Sequence, residues 1–166
     1  MVCGIRKWSI EDAPALARII NNKNIQKNLR DGIPYPYSEA DAEYFIGSVL
    51  NSDFAFAVTA DGVLAGSISV ERGGNVHSRT GELGYYIGEE FWGMGIGSEA
   101  VRLICRQVFE NSDIIRIFAE PFSYNIASCR VLEKNGFVYE GTLRKNAVKD
   151  GKVLDMKMYA LIKENC

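Results

Sequence analysis

Three glycines at alternate positions, followed at once by a helical pattern, are the residues of this sequence best suited to bind an anion. They lie in Gly93-Met94-Gly95-Ile96-Gly97-Ser98, and beyond them apolar residues recur at three- and four-residue spacing as far as Val108. The first turn of a helix leaves about four backbone N–H groups without partners, and the helix dipole places roughly half a positive charge there. Because glycine lets an anion approach the backbone closely, residues 93–98 predict a loop that binds phosphate or pyrophosphate.

Three known nucleotide-binding loops have glycine patterns comparable to this one. A Walker loop needs Gly-Lys-Ser/Thr, and residues 93–98 contain no lysine. A dinucleotide-binding loop needs G-x-G-x-x-G, whereas these glycines run G-x-G-x-G. The pyrophosphate loop of acyl-CoA-dependent N-acetyltransferases, Q/R-x-x-G-x-G/A, fits residues 92–97 except that Trp92 replaces the polar first residue. A glycine turn that only caps the helix is the remaining alternative for this loop alone.

A second segment, downstream of the glycine loop, decides between these patterns. Residues 125–137, NIASCRVLEKNGF, resemble the N-x-x-S/A-x-x-V/L-x-x-x-G-F segment of the GNAT superfamily of N-acetyltransferases. Phe91-Trp92-Gly93 and the ending at residues 155–159 resemble its ribosomal-protein N-acetyltransferase branch. Either motif alone is weak, but their order and separation together are specific, and the resemblance covers nearly the whole chain.

The resemblance implies an α+β fold in one domain, residues 1–166. A single mixed, mostly antiparallel sheet of seven strands is flanked by about four helices. Two central strands, here residues 85–87 and 117–119, splay apart. In such a gap the unpaired backbone groups pair with the pantetheine arm of coenzyme A, as a missing strand would.

The resemblance also implies an enzyme that moves the acetyl group of acetyl-CoA to a primary amine by direct attack on the thioester, without a metal. The acceptor is either a protein N-terminal α-amine or a small-molecule amine. A non-catalytic acyl-CoA-binding regulatory module is the alternative from another functional class. A dinucleotide-binding oxidoreductase is a distant third, because the glycine spacing and the antiparallel strand order oppose it.

The resemblance also implies the cofactor contacts, which come from the two motifs and from the splayed strand at residues 85–87. Trp92 is expected to pack under the glycine loop, and Asn125 to bond the pantetheine arm or to cap its helix. The full set of expected cofactor-binding residues is Tyr85, Tyr86, Ile87, Gly93, Met94, Gly95, Ile96, Gly97, Ser98 and Asn125.

The acceptor amine must lose a proton before it attacks. A lysine-like amine has a pKa near 10.4, so neutralising it at pH 7 costs about 4–5 kcal/mol, and a carboxylate with a bound water can relay the proton. Glu82 matches the glutamate that many family members carry on the central strand, and Glu120 is the reserve candidate. Some relatives use a glutamate between the last two strands, but residues 145–148 contain no carboxylate.

The leaving thiolate needs a proton or a hydrogen bond. The family's usual general acid is a tyrosine seven residues after the motif asparagine, and here that position is Leu132. Ser128, three residues after Asn125, is therefore the expected donor. A serine in a first helical turn that bonds its own backbone is the structural alternative.

The loop at residues 29–37 borders the acceptor site in relatives, which makes Asp31, Tyr35 and Tyr37 the expected acceptor contacts. Aromatic rings around an amine are favourable through cation–π attraction. A Pro-Tyr-Pro-Tyr loop that merely packs as a lid is the alternative.

The surrounding elements follow from periodicity and turn residues. Strands are expected at residues 3–8, 54–59, 63–71, 82–87, 114–120, 137–144 and 152–162, with hairpins at Asp61-Gly62 and Asp150-Gly151. Helices are expected after the S-x-x-D signals at Ser9 and Ser38, at residues 96–111 and at residues 125–135. Residues 21–28 are expected to be polar and frayed.

Composition narrows the function classes. The formal net charge is −2 without a basic run, so nucleic acid is not an expected partner. No apolar stretch approaches a membrane span, and the N-terminus lacks an apolar signal core. The four cysteines, Cys3, Cys105, Cys129 and Cys166, match no zinc or disulfide spacing and suit a reducing cytoplasm. We expect a cytoplasmic monomer or homodimer.

Overall fold

The structure is a computed structural model that describes residues 1–164, so Cys166 lies outside the described residues. Its strands are β1 (Cys3–Lys7), β2 (Ala55–Ala60), β3 (Val63–Arg72), β4 (Thr80–Ile87), β5 (Arg116–Ala119), β6 (Val138–Lys149) and β7 (Lys152–Ile162). Its α-helices are α1 (Ala13–Ile20), α2 (Lys23–Gln26), α3 (Glu39–Val49), α4 (Ile96–Asn111) and α5 (Ile126–Lys134). None of these helices is long and apolar enough to cross a membrane.

The seven strands form one sheet in the order β1-β2-β3-β4-β5-β7-β6, which confirms the α+β fold class. Every neighbouring pair is antiparallel except β4 and β5, which are parallel. These two strands pair only from Thr80 with Arg116 to Glu82 with Phe118, and they separate beyond that point. The gap therefore opens after Glu82, and the expectation that Ile117 lies in it was wrong, because Ile117 still pairs with Gly81.

Two apolar cores lie on opposite faces of the sheet. On one face, α4 and α5 contribute side chains such as Ile104 and Leu132 to the larger core. On the other face, α1 and α3 contribute side chains such as Leu16 and Ile46 to the second core. Because successive residues of a strand point to opposite faces, β4 supplies Leu83 to the first core and Tyr86 to the second.

Local signals set the turns and the helix starts as expected. Asp61-Gly62 and Asp150-Gly151 both have positive φ angles, between 49° and 82°, which is the conformation that two-residue hairpins require. Ser9 with Asp12 and Ser38 with Asp41 each form a complete capping box. The first box starts a short 3-10 turn that leads into α1.

The strand expected at residues 137–144 is longer than predicted. The pairing of β6 with β7 is interrupted after Leu143 and resumes at Ala147, so three residues bulge out opposite Asp155. Lys145 adopts φ 53° in this bulge, and its backbone N–H donates to Asp155 at 2.7 Å. The bulge hides the period of two, which is why the sequence pattern ended the strand early.

The expectation that residues 21–28 are frayed was wrong. Asn22 caps the short helix α2, in which Ile25 is buried and the amide of Gln26 donates to the carbonyl of Ile20 at 3.1 Å. The described residues therefore contain five α-helices where about four were expected. A single apolar residue and one buried amide anchor this segment, and that pattern is too short to show a helical period.

Candidate active site

The edge of β4 beyond Glu82 presents unpaired backbone groups to the gap. The N–H of Gly88 donates to Ala65 of β3 at 2.7 Å, so by alternation the backbone groups of Tyr86 also face β3. Those of Tyr85 and Ile87 face the gap. The carbonyl of Ile87 already accepts a hydrogen bond from the Trp92 indole at 2.8 Å. Tyr85 and the N–H of Ile87 thus remain the expected backbone partners for pantetheine, and the pairing does not favour Tyr86.

The glycine loop ends in a bare helix N-terminus. Gly93 and Gly95 have φ angles of 75° and 77°, a region that strains other residues. Gly95 is the N-cap of α4 and provides no side-chain cap, while the N–H of Glu99 makes the first helical bond to its carbonyl at 3.1 Å. The N–H groups of residues 96–98 are therefore the donors that a pyrophosphate would meet.

The other residues of the glycine loop differ in their burial and in their contacts. Met94 is half exposed at the tip, whereas the Ile96 side chain is buried in the core. Ser98 accepts two hydrogen bonds from the amide of Asn135, one at its carbonyl and one at its hydroxyl, at 3.1 and 3.3 Å. This contact ties the start of α4 to the end of α5.

Trp92 does not pack beneath the loop as expected. Its side chain is 45% exposed, and it acts through the hydrogen bond from its indole to Ile87. Phe91, the residue before it, is 7% exposed and belongs to the larger core. Phe91 thus contributes packing, whereas Trp92 contributes a hydrogen bond.

Ser128 lies next to a second hydroxyl group that the sequence did not reveal. Its Oγ is 3.0 Å from the Oη of Tyr85, while its backbone N–H donates to the side chain of Asn125 at 3.2 Å. Asn125 is thus the N-cap of α5. Burial raises the pKa of Tyr85 to about 12, so its hydroxyl stays protonated at neutral pH. Leu132 is fully buried in the larger core.

A cavity of about 400 Å³ opens where β4 and β5 separate. Its walls come from the loop after α2, from β4, from β5 and the residues that follow it, and from the β6–β7 hairpin. The nine lining residues are Arg30, Glu82, Phe118, Glu120, Phe122, Asn146, Ala147, Val148 and Met156. Both candidate carboxylates are therefore in one cavity, and none of these nine described residues is a cysteine or a histidine.

Arg30 stands between the two carboxylates. Its Nη2 is 2.8 Å from Oε2 of Glu82 and 3.9 Å from Oε2 of Glu120. Burial and the neighbouring charge of Glu82 raise the pKa of Glu120, and the guanidinium of Arg30 opposes that rise. Glu120 therefore holds a proton more strongly than an ordinary glutamate does, which makes its carboxylate a stronger base.

The three residues expected to contact the acceptor do not line this cavity. Asp31 pairs with Lys149 at 3.0 Å, which lowers the pKa of Asp31 and joins the loop to the β6–β7 hairpin. Tyr37 is buried in the second core, and Tyr35 is 49% exposed. Acceptor contact by these residues stays a prediction. Arg30, which directly precedes Asp31, is the loop residue that reaches the cavity, and only its position in the acceptor loop could have indicated it.

The sequence of this chain is similar to that of a known protein family. A sequence model of the acetyltransferase (GNAT) domain matches residues 3–138, which is most of the chain. The chain belongs to the GNAT family. The family match confirms the fold and the acetyltransferase class that the two motifs predicted.

Two curated relatives of this GNAT chain are named as N-acetyltransferases. A probable N-acetyltransferase, YjcK of Bacillus subtilis, is 34% identical over 75% of this chain and 64% of its own length. A putative ribosomal N-acetyltransferase, YdaF of the same organism, is 35% identical over 62% of this chain and 56% of its own length. The matched segments thus span less than two thirds of these two relatives.

A solved structure shares the fold over its full length. It is that of RimL, a ribosomal L7/L12 alpha-N-protein acetyltransferase in complex with coenzyme A, with a TM-score of 0.86. It is 22% identical and covers 100% of this chain and 97% of its own. At that identity the likeness establishes the fold of the GNAT chain and nothing further.

Replacing Gly97 by aspartate is expected to abolish acetyl-CoA binding in a folded protein. A Cβ at Gly97 would lie 3.5 Å from Ile87 and 3.8 Å from Tyr85, which are ordinary contacts. A carboxylate in the first turn of α4 favours the helix but repels a pyrophosphate. Calorimetry with acetyl-CoA measures the loss, and Gly97→Asn is the neutral control of equal size. Unchanged affinity in Gly97→Asp would exclude this loop as the pyrophosphate site.

Replacing Ser128 by alanine is expected to lower kcat by about 10- to 1000-fold, because a hydrogen bond to the leaving thiolate is lost. The affinity for acetyl-CoA should barely change. Steady-state kinetics and calorimetry on the same preparation separate the two effects. Tyr85→Phe is the matched variant, since it removes only the hydroxyl that meets Ser128. A Ser128→Ala protein that turns over at the wild-type rate would show that the serine is structural.

Proposed function

We propose that this GNAT chain acetylates a primary amine by direct attack of the amine on the thioester of acetyl-CoA. The observation that carries the proposal is the cavity at the divergence of β4 and β5, with Glu82 and Glu120 on its wall. The amine enters on the face of Glu82. The cofactor lies in the gap, with its pyrophosphate at residues 96–98.

The two carboxylates have different parts in this proposal. Glu82 already holds a cation, because Arg30 lies 2.8 Å from it, so Glu82 binds the positive charge of the acceptor. Glu120 is 20% exposed and has a raised pKa, so it accepts the proton that the ammonium group must lose. This assignment moves the proton-accepting role from Glu82, the first candidate from the sequence, to Glu120, the reserve. The neutral nitrogen then attacks the thioester carbon and the C–S bond breaks. The second proton of the nitrogen passes to the departing thiolate, which gives the acetylated amine and coenzyme A.

The thiolate leaves beside the hydroxyl pair of Ser128 and Tyr85. A tyrosine with a pKa of about 12 does not give up its proton readily, so the pair stabilises the thiolate by donating hydrogen bonds. Either hydroxyl can be the donor within the pair, which leaves the other hydrogen free to reach the sulfur. Leu132, at the usual tyrosine position, takes no part because it is buried.

A protein N-terminal α-amine is the acceptor class that fits this site best. An α-amine has a pKa of about 7.7–8.0, so neutralising it at pH 7 costs only about 1 kcal/mol, compared with about 4–5 kcal/mol for a lysine-like amine. One moderately basic carboxylate is enough for that step. The similarity to YdaF, a putative ribosomal N-acetyltransferase, supports the same class.

An acyl-CoA-binding module without catalysis is the alternative, and turnover separates the two. The purified protein, acetyl-CoA and a thiol reagent are mixed with N-terminal peptides and with small amines, and the release of coenzyme A is measured. Mass spectrometry then identifies any product heavier by one acetyl group. Acetylated peptides support the proposal, acetylated small amines assign the other acceptor class, and binding of acetyl-CoA without release of coenzyme A supports the module.

Replacing Glu120 by glutamine is expected to depress kcat/KM most strongly near pH 6–7 for an α-amine acceptor. The deficit should shrink as the pH approaches the pKa of the acceptor, because the amine then loses its proton unaided. Glu82→Gln is the matched variant. It should move the acid limb of the profile to lower pH, since the charge of Glu82 raises the pKa of Glu120.

The measurement is a pH–rate profile of kcat/KM for the wild type and both variants with one acceptor. A deficit in Glu120→Gln that stays constant across the whole range would contradict proton acceptance by Glu120. An acid limb that does not move in Glu82→Gln would contradict the coupling between the two carboxylates.

A further inference from the structure

Arg30 is the one cationic residue among the described residues that line the cavity. Its guanidinium contacts Glu82 and approaches Glu120, so it occupies the position between the two carboxylates. Any cation that reaches these carboxylates from the open side of the cavity must share this position with Arg30 or displace it.

The contact between Arg30 and Glu82 is weaker than other ion pairs of the chain. One nitrogen of Arg30 meets one carboxylate oxygen, and the Arg30 side chain is 60% exposed. By contrast, Arg6 with Asp12 and Arg116 with Glu140 form two parallel hydrogen bonds each, at 2.7–2.9 Å. Exposed single contacts contribute little to stability, whereas two-pronged pairs are stronger and fixed in geometry.

The backbone that carries Arg30 is anchored on both sides. The hydroxyl of Tyr124 donates to the carbonyl of Lys27, and Asp31 pairs with Lys149 while accepting from the N–H of Asp150 at 3.2 Å. The loop therefore holds its place while the long side chain can rotate out to solvent. Releasing Glu82 requires a change of rotamer and no movement of the fold.

We propose that Arg30 is an internal competitor of the acceptor: its guanidinium occupies the ammonium position at Glu82, and the acceptor displaces it before reaction. This inference rests on the proposed function and adds a residue that sets acceptor affinity. On displacement, the ammonium group takes the place of Arg30 at Glu82. It passes one proton to the carboxylate of Glu120, and the neutral amine remains within reach of the thioester.

The test is the affinity of Arg30→Gln for a peptide with a free α-amine, measured by calorimetry with coenzyme A present so that it does not depend on turnover. Removing the competitor should tighten binding about 2- to 5-fold, the factor that an exposed ion pair represents. A desamino peptide, which lacks the ammonium group, should bind both proteins equally. Arg30→Lys keeps the cation and should restore weaker binding. Arg106→Gln is the matched control. It removes an exposed ion pair on α4, that of Arg106 with Glu110, and should leave the affinity for the peptide unchanged.

A pH profile supplies a second readout that a purely structural role would not move. The charged groups that face Glu120 are Glu82 and Arg30, and Arg30 lowers the pKa of Glu120. Arg30→Gln should therefore move the acid limb of kcat/KM to higher pH, opposite to the shift in Glu82→Gln.

Unchanged peptide binding in Arg30→Gln would overturn the proposal. Weaker binding would also overturn it, because Arg30 would then bind the acceptor itself. Equal tightening for the desamino peptide would also overturn it, because the effect would be steric. A wild-type protein that binds the peptide but acetylates no amine contradicts the proposed function and leaves the displacement test valid.

Discussion

The separation of β4 from β5 is the constraint on which the site depends. A sheet is stabilised by continuous backbone pairing, and here its central parallel pair ends after three residue pairs. The residues after β5 explain why. The carbonyl of Pro121 accepts from Lys157 at 2.9 Å, and the N–H of Ser123 donates to the carbonyl of Asp155 at 3.0 Å. The chain thus continues to pair with β7 and moves away from β4.

The open edge of β4 is supported without being closed. On its other side β4 pairs with β3 over seven residue pairs, so the strand is held firmly by one neighbour. The indole of Trp92 caps the carbonyl of Ile87, and the ring of Tyr85 fills space beside Gly97. The hydrogen bond from Asn135 to Ser98 fixes the start of α4 relative to the end of α5. These contacts keep the unpaired backbone in place, so a cofactor meets a preformed edge.

Local rules predicted the parts of the fold that local conformation determines. These parts are the hairpins at Asp61-Gly62 and Asp150-Gly151, the capping boxes and the glycine loop. They depend on φ angles and on residues at most four apart, so they can be predicted from the sequence. The bulge in β6 was missed because its three residues lie opposite the single residue Asp155 on the neighbouring strand, and that contact cannot be seen in the local sequence. The family motifs predicted the gap between β4 and β5, but only the pairing register located where it begins.

Several residues of the candidate site could be predicted from the sequence, but the contacts between their side chains could not. Glu82, Glu120 and Ser128 were found one by one from motif positions. Their partners were not, since Arg30 lies 52 residues from Glu82 and Tyr85 lies 43 residues from Ser128. Contacts between residues so far apart in the sequence depend on the complete fold. They also change the chemistry assigned to each group, because Arg30 engages Glu82, whereas burial and the charge of Glu82 raise the pKa of Glu120.

The period of two along β4 also separates the two halves of the proposed reaction. Glu82 and Tyr85 are three residues apart, so their side chains point to opposite faces of the sheet. Glu82 faces the cavity on the side of α1 and α3, whereas Tyr85 packs against the core of α4 and α5 and reaches Ser128. The carboxylates that handle the positive amine are thereby kept away from the hydroxyl groups that face the negative thiolate. A carboxylate beside the sulfur would oppose its departure by repulsion. Because the pairing of β4 with β5 ends at Glu82, this strand can receive the amine from one face of the sheet and release the thiol on the other.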